Sequence, residues 1–144
     1  MENHPYFESE APGRKPCIWL FDSLEVLRDS PDAVKDVIGH ALDEAQAGRK
    51  ASGAKPLTGD KAFKGGKVLE VVDDFDGDTY RAVYTVRFAD ALYVLHTFMK
   101  KSTTGRETPK HEIELIKRRL AFAEEHYRKH VALFTRGGKK GKRP

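Results

Sequence analysis

Three basic side chains lie in or directly after apolar stretches of this 144-residue sequence. Arg81 stands inside TYRAVYTVRF, and Lys100 and Lys101 follow the apolar run YVLHTFM. A guanidinium can bind two phosphate oxygens at once, and an ammonium group stabilises negative charge that develops during a reaction. Such a set suits RNA cleavage without a metal, in which the 2′-OH of the substrate attacks the adjacent phosphate. We therefore take Arg81, Lys100 and Lys101 as candidate catalytic residues.

Alternation around Arg81 predicts a strand with two different faces. One face carries the aromatic set Tyr80, Ala82, Tyr84, Val86 and Phe88, and the other carries Arg81, Val83, Thr85 and Arg87. An arginine in mid-strand needs either open solvent or an anionic partner. We expect a solvent-facing Arg81 that binds phosphate. The alternative is an ion pair with Glu70 or Asp73 on the neighbouring strand.

Other residues are weaker candidates for the same chemistry. His111, next to Lys110 near a predicted helix start, could move protons near neutral pH, or it could be an ordinary exposed histidine. Lys67 and Arg87 are candidate RNA contacts. Tyr84 could stack on a base, although its place on the aromatic face favours the core.

The sequence indicates neither a metal site nor a cofactor. Its six histidines lack the paired spacing of metal ligands, and it has no glycine-rich phosphate loop and no nucleophile elbow. The single cysteine, Cys17, cannot form an internal disulfide, and its apolar context predicts a buried thiol. His96, in an apolar strand, is expected to be structural. These features, and an N-terminus without a signal-peptide pattern, predict a cytoplasmic protein.

Helix signals occur before and after the candidate residues. Asp22 or Ser23 can begin a short helix, and Ser30-Pro31-Asp32 begins a second helix that Gly48 ends. Thr108-Pro109 begins a C-terminal helix with the buried stripe Ile113, Ile116, Leu120, Ala123 and Tyr127. We place Lys117, Arg118 and Arg119 around the solvent side of that helix.

Strand signals fill the region between the helices. Residues 67–75, 79–88 and 91–99 are separated by short turns, which predicts an antiparallel meander, and residues 17–21 are a possible fourth strand. Residues 49–66 are expected to be a loop. The sequence therefore predicts an α+β fold with two N-terminal helices, a sheet of three to four strands and a C-terminal helix packed on that sheet.

Length and charge indicate one domain with two extensions. We assign residues 16–134 to the domain, residues 1–15 to an irregular lead-in and residues 135–144 to a basic disordered tail. Residues 136–144 hold five cations, and removing five positive charges from a net charge of +4 leaves −1. The net positive charge of the chain therefore comes largely from the predicted tail. No apolar run is long enough for a membrane span.

Five pieces of the sequence, in their usual order, resemble the RelE/ParE toxin superfamily and its phage-derived HigB-like branch. They are PLTG, KVLEVVDDFDG, YRAVYTVRF, YVLHTFMKK and TPKHEIELIKRRL, within residues 57–127. The resemblance implies a RelE-like fold and the toxin of a toxin–antitoxin pair, an mRNA endoribonuclease that inhibits translation. It implies a phosphate-binding role for Arg81 and basic site residues at Lys100 and Lys101. The implied partners are mRNA, free or on the ribosome, and a helix-turn-helix antitoxin.

The resemblance leaves the proton-transfer residue and the activity open. RelE has a tyrosine in its final helix region, where this chain has Glu112 with His111 beside it. A ParE-like inhibitor of DNA gyrase would share the scaffold without needing a catalytic basic cluster. A non-catalytic, prophage-derived interaction module is the third alternative. The nuclease and the gyrase inhibitor differ in whether Arg81, Lys100 and Lys101 lie together on one open face.

Overall fold

A computed structural model describes residues 6–9, 14–101 and 107–138 of the chain. It is built on one mixed sheet with the strand order β1-β2-β6-β5-β4-β3. All neighbouring strands are antiparallel except β2 and β6, which are parallel. The strands are β1 (Tyr6–Ser9), β2 (Cys17–Leu20), β3 (Ala54–Pro56), β4 (Val68–Phe75), β5 (Asp78–Thr85) and β6 (Leu92–Lys100).

Three helices pack against the two faces of the sheet. They are α1 (Ser23–Arg28), α2 (Asp32–Gln46) and α3 (Lys110–Gly138), with a single 3-10 turn at Lys61–Phe63. The α+β class, the two N-terminal helices, the meander and the C-terminal helix are therefore confirmed. Within the described residues, no helix is both long enough and apolar enough to cross a membrane.

Four elements differ from the sequence prediction. β1 lies inside the predicted irregular lead-in, β3 and the 3-10 turn lie inside the predicted loop, and α3 continues to Gly138, into the predicted tail. β1 and β3 have only four and three residues, which is too short for a readable alternation pattern. The rest of the predicted lead-in before Arg14, residues 102–106, and residues 139–144 of the predicted tail lie outside the described residues.

A two-residue turn fixes the register of the central hairpin. Asp76 and Gly77 between β4 and β5 have φ angles of 52° and 84°. A tight hairpin turn with both central residues at positive φ matches the twist of the flanking strands, and Asp-Gly tolerates that conformation. The resulting register places Glu70 opposite Val83, and Arg81 opposite Val72 on one side and Phe98 on the other.

The two faces of the sheet form two separate hydrophobic clusters. The cluster between the sheet and helices α1 and α2 includes Val34, Ile38, Leu42, Ala82, Tyr84 and Val94. The cluster between the sheet and α3 includes Val83, Phe88, Tyr93, Leu95, Phe98 and Ile116. The prediction that Phe88 shares a face with Tyr84 is wrong, because β5 ends at Thr85 and the chain turns before Phe88. The Phe88 ring stacks on Tyr127, with ring centroids 4.6 Å apart.

A β-bulge in β6 changes which side chains point toward α3. Val83 pairs with His96 and Tyr84 pairs with Val94, so Leu95 is the extra residue. Leu95 packs in the cluster under α3, and the next residue, His96, also contacts α3 through Glu112. Simple alternation would have turned these neighbours to opposite faces. The bulge therefore brings a histidine to the side of the sheet that α3 covers.

A second histidine lies between the sheet and the middle of α3. His126 is buried, and its Nδ1 lies 2.6 Å from the Tyr93 hydroxyl. Its ring stacks on His130 at 4.1 Å between centroids. Burial, and then the neighbouring His130, lower the pKa of His126 to about 4. The core is therefore built around a neutral imidazole.

We expect His126 to make the protein less stable in acid. The pKa of His126 is lower in the folded chain than the ordinary value of 6.5. Between these two pKa values the unfolded chain therefore binds a proton at His126 that the folded chain does not bind. The free energy of unfolding should fall by about 2–3 kcal/mol as pH drops from about 6.5 to about 4. Urea unfolding at several pH values measures this slope. His126→Gln should flatten the slope and the exposed control His40→Gln should keep it; equal slopes in both variants would contradict the assignment.

Candidate functional site

Arg81 does not lie on an open face. Only 3% of the residue is exposed, and its Nη1 lies 3.1 Å from Oε2 of Glu70. The same guanidinium nitrogen donates to Oγ1 of Thr108 at 3.2 Å, and the Thr108 hydroxyl donates to Glu70 at 2.7 Å. We call the buried Glu70 and Arg81, together with the half-buried Thr108, the buried triad. The expectation of a solvent-facing Arg81 is wrong, and the alternative of an ion pair with Glu70 is confirmed.

The two candidate lysines lie at the end of β6. Lys100 is opposite Thr79 and follows Phe98 by two residues, which places it on the α3 side of the sheet, diagonal to Arg81. Lys100 is half-buried, and Lys101, just beyond the strand, is exposed. Because Arg81 is buried, the three predicted catalytic cations do not form one open cluster.

The remaining predicted residues divide into exposed and structural ones. His111 has 80% of its side chain exposed and Lys67 is also exposed. Arg87 is held by Glu124 Oε2 at 2.5 Å and by the Ala62 carbonyl at 3.0 Å. Tyr84 is fully buried in the cluster under α1 and α2. Tyr84 therefore cannot stack on a base in this structure, and its core interpretation is confirmed.

The bulge creates a polar contact between the sheet and the first turn of α3. Nε2 of His96 lies 2.6 Å from Oε1 of Glu112. Nδ1 of His96 lies 3.1 Å from Nη1 of Arg119. Arginine has no acceptor, so Nδ1 carries the lone pair and Nε2 carries the proton that it donates to Glu112. The geometry thus selects one neutral tautomer, in what we call the His96–Glu112 pair.

Electrostatics support the neutral state of His96. Burial lowers the pKa of His96, and Arg119 lowers it further, while the hydrogen bond to Glu112 raises it; the net direction is downward. At neutral pH the imidazole therefore serves as a fixed hydrogen-bond donor to the carboxylate. His96 is structural, as expected, but it is also what orients Glu112.

Arg119 is a central part of this site. Its guanidinium donates to the Leu95 carbonyl at 3.1 Å and forms an ion pair with Asp22 Oδ1 at 3.1 Å. Only 11% of its side chain is exposed, so the prediction that Arg119 faces solvent is wrong. Asp22, just before α1, and the bulge in β6 together provide partners for it. Neither contact can be read from the helical period of α3.

Glu112 is the group in this network best placed for chemistry. One carboxylate oxygen is fixed by His96, and the other, Oε2, lies 3.5 Å from the exposed His111. The Glu112 side chain is 18% exposed, so the carboxylate is oriented without being sealed from solvent. An oriented carboxylate at a surface can accept a proton from a bound hydroxyl. The sequence comparison placed Glu112 where RelE has a tyrosine, but no sequence pattern indicated that His96 would be its hydrogen-bond partner.

The two polar groups are neighbours on the sheet. Phe98 lies opposite Arg81, and its ring stacks on His96 with centroids 4.8 Å apart. The buried triad thus holds the chain at Thr108, two residues before α3, and the His96–Glu112 pair holds the first turn of that helix. This arrangement makes the triad a support for the site rather than its exposed surface.

Other reactive groups do not extend the site. Among the described residues, the His, Cys, Asp and Glu side chains form no group of three or more that could hold a metal ion. Cys17 is buried, and burial raises the pKa of its thiol to about 12. The thiol therefore stays protonated, which agrees with the predicted structural role.

Comparison with known proteins gives a family but no individual relative. The model of the family described as "Phage derived protein Gp49-like (DUF891)" matches residues 25–121. This is more than half of the chain, and it includes the buried triad, the His96–Glu112 pair and Arg119. No curated protein and no solved structure matches the chain.

Proposed function

We propose, from the premise that this chain belongs to the phage-derived Gp49-like (DUF891) family, that it is the toxin of a toxin–antitoxin pair and cleaves mRNA. The Gp49-like family lies in the RelE toxin–antitoxin context. A C-terminal helix packed on a mixed sheet is compatible with the RelE-like fold of the HigB-like branch. The proposed partners are a helix-turn-helix antitoxin, which would keep the toxin inactive, and mRNA, free or on the ribosome.

The observation that carries the nuclease proposal is the oriented, partly exposed carboxylate of Glu112. In the proposed step Glu112 takes the proton of a ribose 2′-OH, and the 2′-oxygen forms a bond to the adjacent phosphorus. The bond from phosphorus to the 5′-oxygen breaks, and that oxygen takes a proton from His111. The products are a 2′,3′-cyclic phosphate and a 5′-OH, so no metal or cofactor is required.

Cations at the end of β6 complete the proposed site. We assign to Lys100 and Lys101 the role of stabilising the negative charge that develops on the phosphate oxygens. A positioned cation there favours the transition state over the ground state. We assign Arg81 to stability, because its contacts with Glu70 and Thr108 would have to break before it could reach a phosphate. Lys67 remains a proposed RNA contact, whereas Arg87 is already engaged by Glu124.

The lysines provide a direct test of the site. Lys100→Ala and Lys101→Ala should each lower the single-turnover cleavage rate by about tenfold to a hundredfold and change RNA affinity much less. Lys55→Ala, an exposed lysine on β3, is the matched control and should do neither. Deleting residues 136–144 should weaken binding mainly at low salt, because cations outside the proposed site add only a salt-screened attraction to RNA. A chemical step lost with the tail but kept in both lysine variants would place the active site elsewhere.

The burial of Arg81 is a specific reason to keep the ParE-like alternative. An inhibitor of DNA gyrase would not need an open phosphate-binding arginine, and the described structure has no open face that combines Arg81 with Lys100 and Lys101. A supercoiling assay with purified gyrase separates the two functions. Inhibited supercoiling together with intact RNA would support the gyrase inhibitor. If neither activity is found, the non-catalytic interaction module becomes the better account.

A further inference from the structure

A small groove runs along α3 next to the His96–Glu112 pair. Its volume is about 260 Å³, and it is lined by Phe21, Leu115, Arg118, Arg119 and Phe122. The Phe21 ring meets Phe122 edge-on, with centroids 5.1 Å apart, and Cζ of Arg119 lies 5.0 Å from the centre of the Phe21 ring. The groove therefore combines aromatic surface with two arginine side chains.

Phe21 holds an unusual position in this groove. It connects β2 to α1 with a φ of 52°, a left-handed conformation that glycine adopts more easily than phenylalanine. Phe21 is 44% exposed, so burial in the core does not account for an aromatic residue at this turn. A strained residue that presents an exposed ring is a reason to look for a ligand.

Arg119 joins the groove directly to the proposed active site. The same guanidinium that lies over Phe21 donates to Nδ1 of His96. Glu112, Leu115, Arg119 and Phe122 also recur at helical spacing, which places them on one stripe of α3. A chain bound at Glu112 could therefore continue along this stripe into the groove.

We infer that the groove binds one nucleotide of single-stranded RNA, with its base against Phe21 and a phosphate at the exposed Arg118. This inference rests on the proposed nuclease function and adds a base-binding subsite to it. Any base can stack on an aromatic ring, and cations beside the ring bind the RNA backbone. Tyr84, which the sequence offered for stacking, is buried, whereas Phe21 is exposed.

Size and charge favour RNA over a protein segment. The groove lies below the roughly 300–1,000 Å³ of pockets that hold drug-sized ligands, so it has room for one ring system rather than for an entire helix face. Its polar lining comes from two arginines, which complements an anionic backbone. Of these, Arg118 is exposed at the rim. A protein partner in this groove is the competing outcome of the test below.

The test measures binding without cleavage. The probes are a short 2′-O-methyl RNA of uniform sequence, which lacks the attacking 2′-OH, and an abasic strand of the same length. Phe21→Gly removes the ring and suits the positive φ, so the fold should survive; it should weaken binding of the base-bearing RNA by about tenfold to a hundredfold. Binding of the abasic strand should not change. Arg118→Gln should weaken both probes.

Two further variants complete the design. Phe75→Ala, which removes another exposed ring at the end of β4, is the control and should bind like the wild type. Phe21→Trp should keep the affinity, and its added emission should be quenched when base-bearing RNA binds.

Several results would overturn the inference. They are wild-type affinity in Phe21→Gly, equal binding of the two probes by the wild type, absence of binding to either probe, and loss of a protein partner by Phe21→Gly while RNA binding is unchanged. Base-dependent binding by a wild type that cuts no RNA would support the subsite and reject the nuclease proposal. Failure of the base-binding subsite and failure of the nuclease proposal therefore give different results.

Discussion

Arg81→Ala is expected to lower the free energy of unfolding by about 3–5 kcal/mol. The substitution leaves the Glu70 carboxylate buried without its cation, while the Thr108 hydroxyl still donates a hydrogen bond to it. The loss of this one charge should cost far more than the loss of an exposed one, because burial removes the water that would otherwise solvate Glu70. Urea unfolding of both proteins measures the difference.

Two controls separate stability from catalysis at Arg81. Lys117→Ala removes one partner of a more exposed ion pair with Asp60 and should change the free energy of unfolding by about 1 kcal/mol or less. The double variant Arg81→Met with Glu70→Leu removes both buried charges and should recover most of the stability lost in Arg81→Ala. An Arg81→Ala protein with wild-type stability and no cleavage would show instead that Arg81 acts on the phosphate.

Glu112→Gln is expected to lower the single-turnover cleavage rate by about 100- to 10,000-fold, the usual contribution of a general base. Glutamine keeps an oxygen that can accept the hydrogen bond from Nε2 of His96, so the position of the side chain should be retained while its basicity is lost. RNA affinity and the free energy of unfolding should change little. The measurement is cleavage at saturating protein, with binding measured in parallel.

Glu114→Gln is the matched control for Glu112. It makes the same chemical change two residues away, on an exposed side chain that lies 3.9 Å from Lys117. It should keep the wild-type cleavage rate. Equal rates for Glu112→Gln and the wild type would remove Glu112 from the chemistry and leave the His96–Glu112 pair as a structural contact.

Local signals in the sequence were sufficient for most of the architecture. The helical period of Val34, Ile38 and Leu42 and the Ser-Pro-Asp start predicted α2, and the Asp-Gly turn predicted the central hairpin. These features depend on residues close together in the chain. The predicted stripe of α3 was also largely correct, since its first four members are buried.

The site depended on contacts that local patterns do not contain. Leu95 and His96 look like ordinary alternating strand residues, and only the pairing with β5 shows the bulge that turns both toward α3. The burial of Arg81 depends on Thr108, 27 residues away in sequence. Charged residues are usually exposed, so the pattern alone placed both Arg81 and Arg119 in solvent. The partners that bury them come from distant elements.

Mapping of RNA ends in cells tests the central claim most directly. The wild type and Glu112→Gln are induced at equal levels, and the cleaved ends of cellular mRNA are sequenced with chemistry that distinguishes 2′,3′-cyclic phosphates from other 3′ ends. We predict that the wild type arrests growth and produces mRNA fragments with 2′,3′-cyclic phosphate and 5′-OH ends, and that Glu112→Gln produces neither effect. Growth arrest by the wild type with intact mRNA would contradict the proposed nuclease.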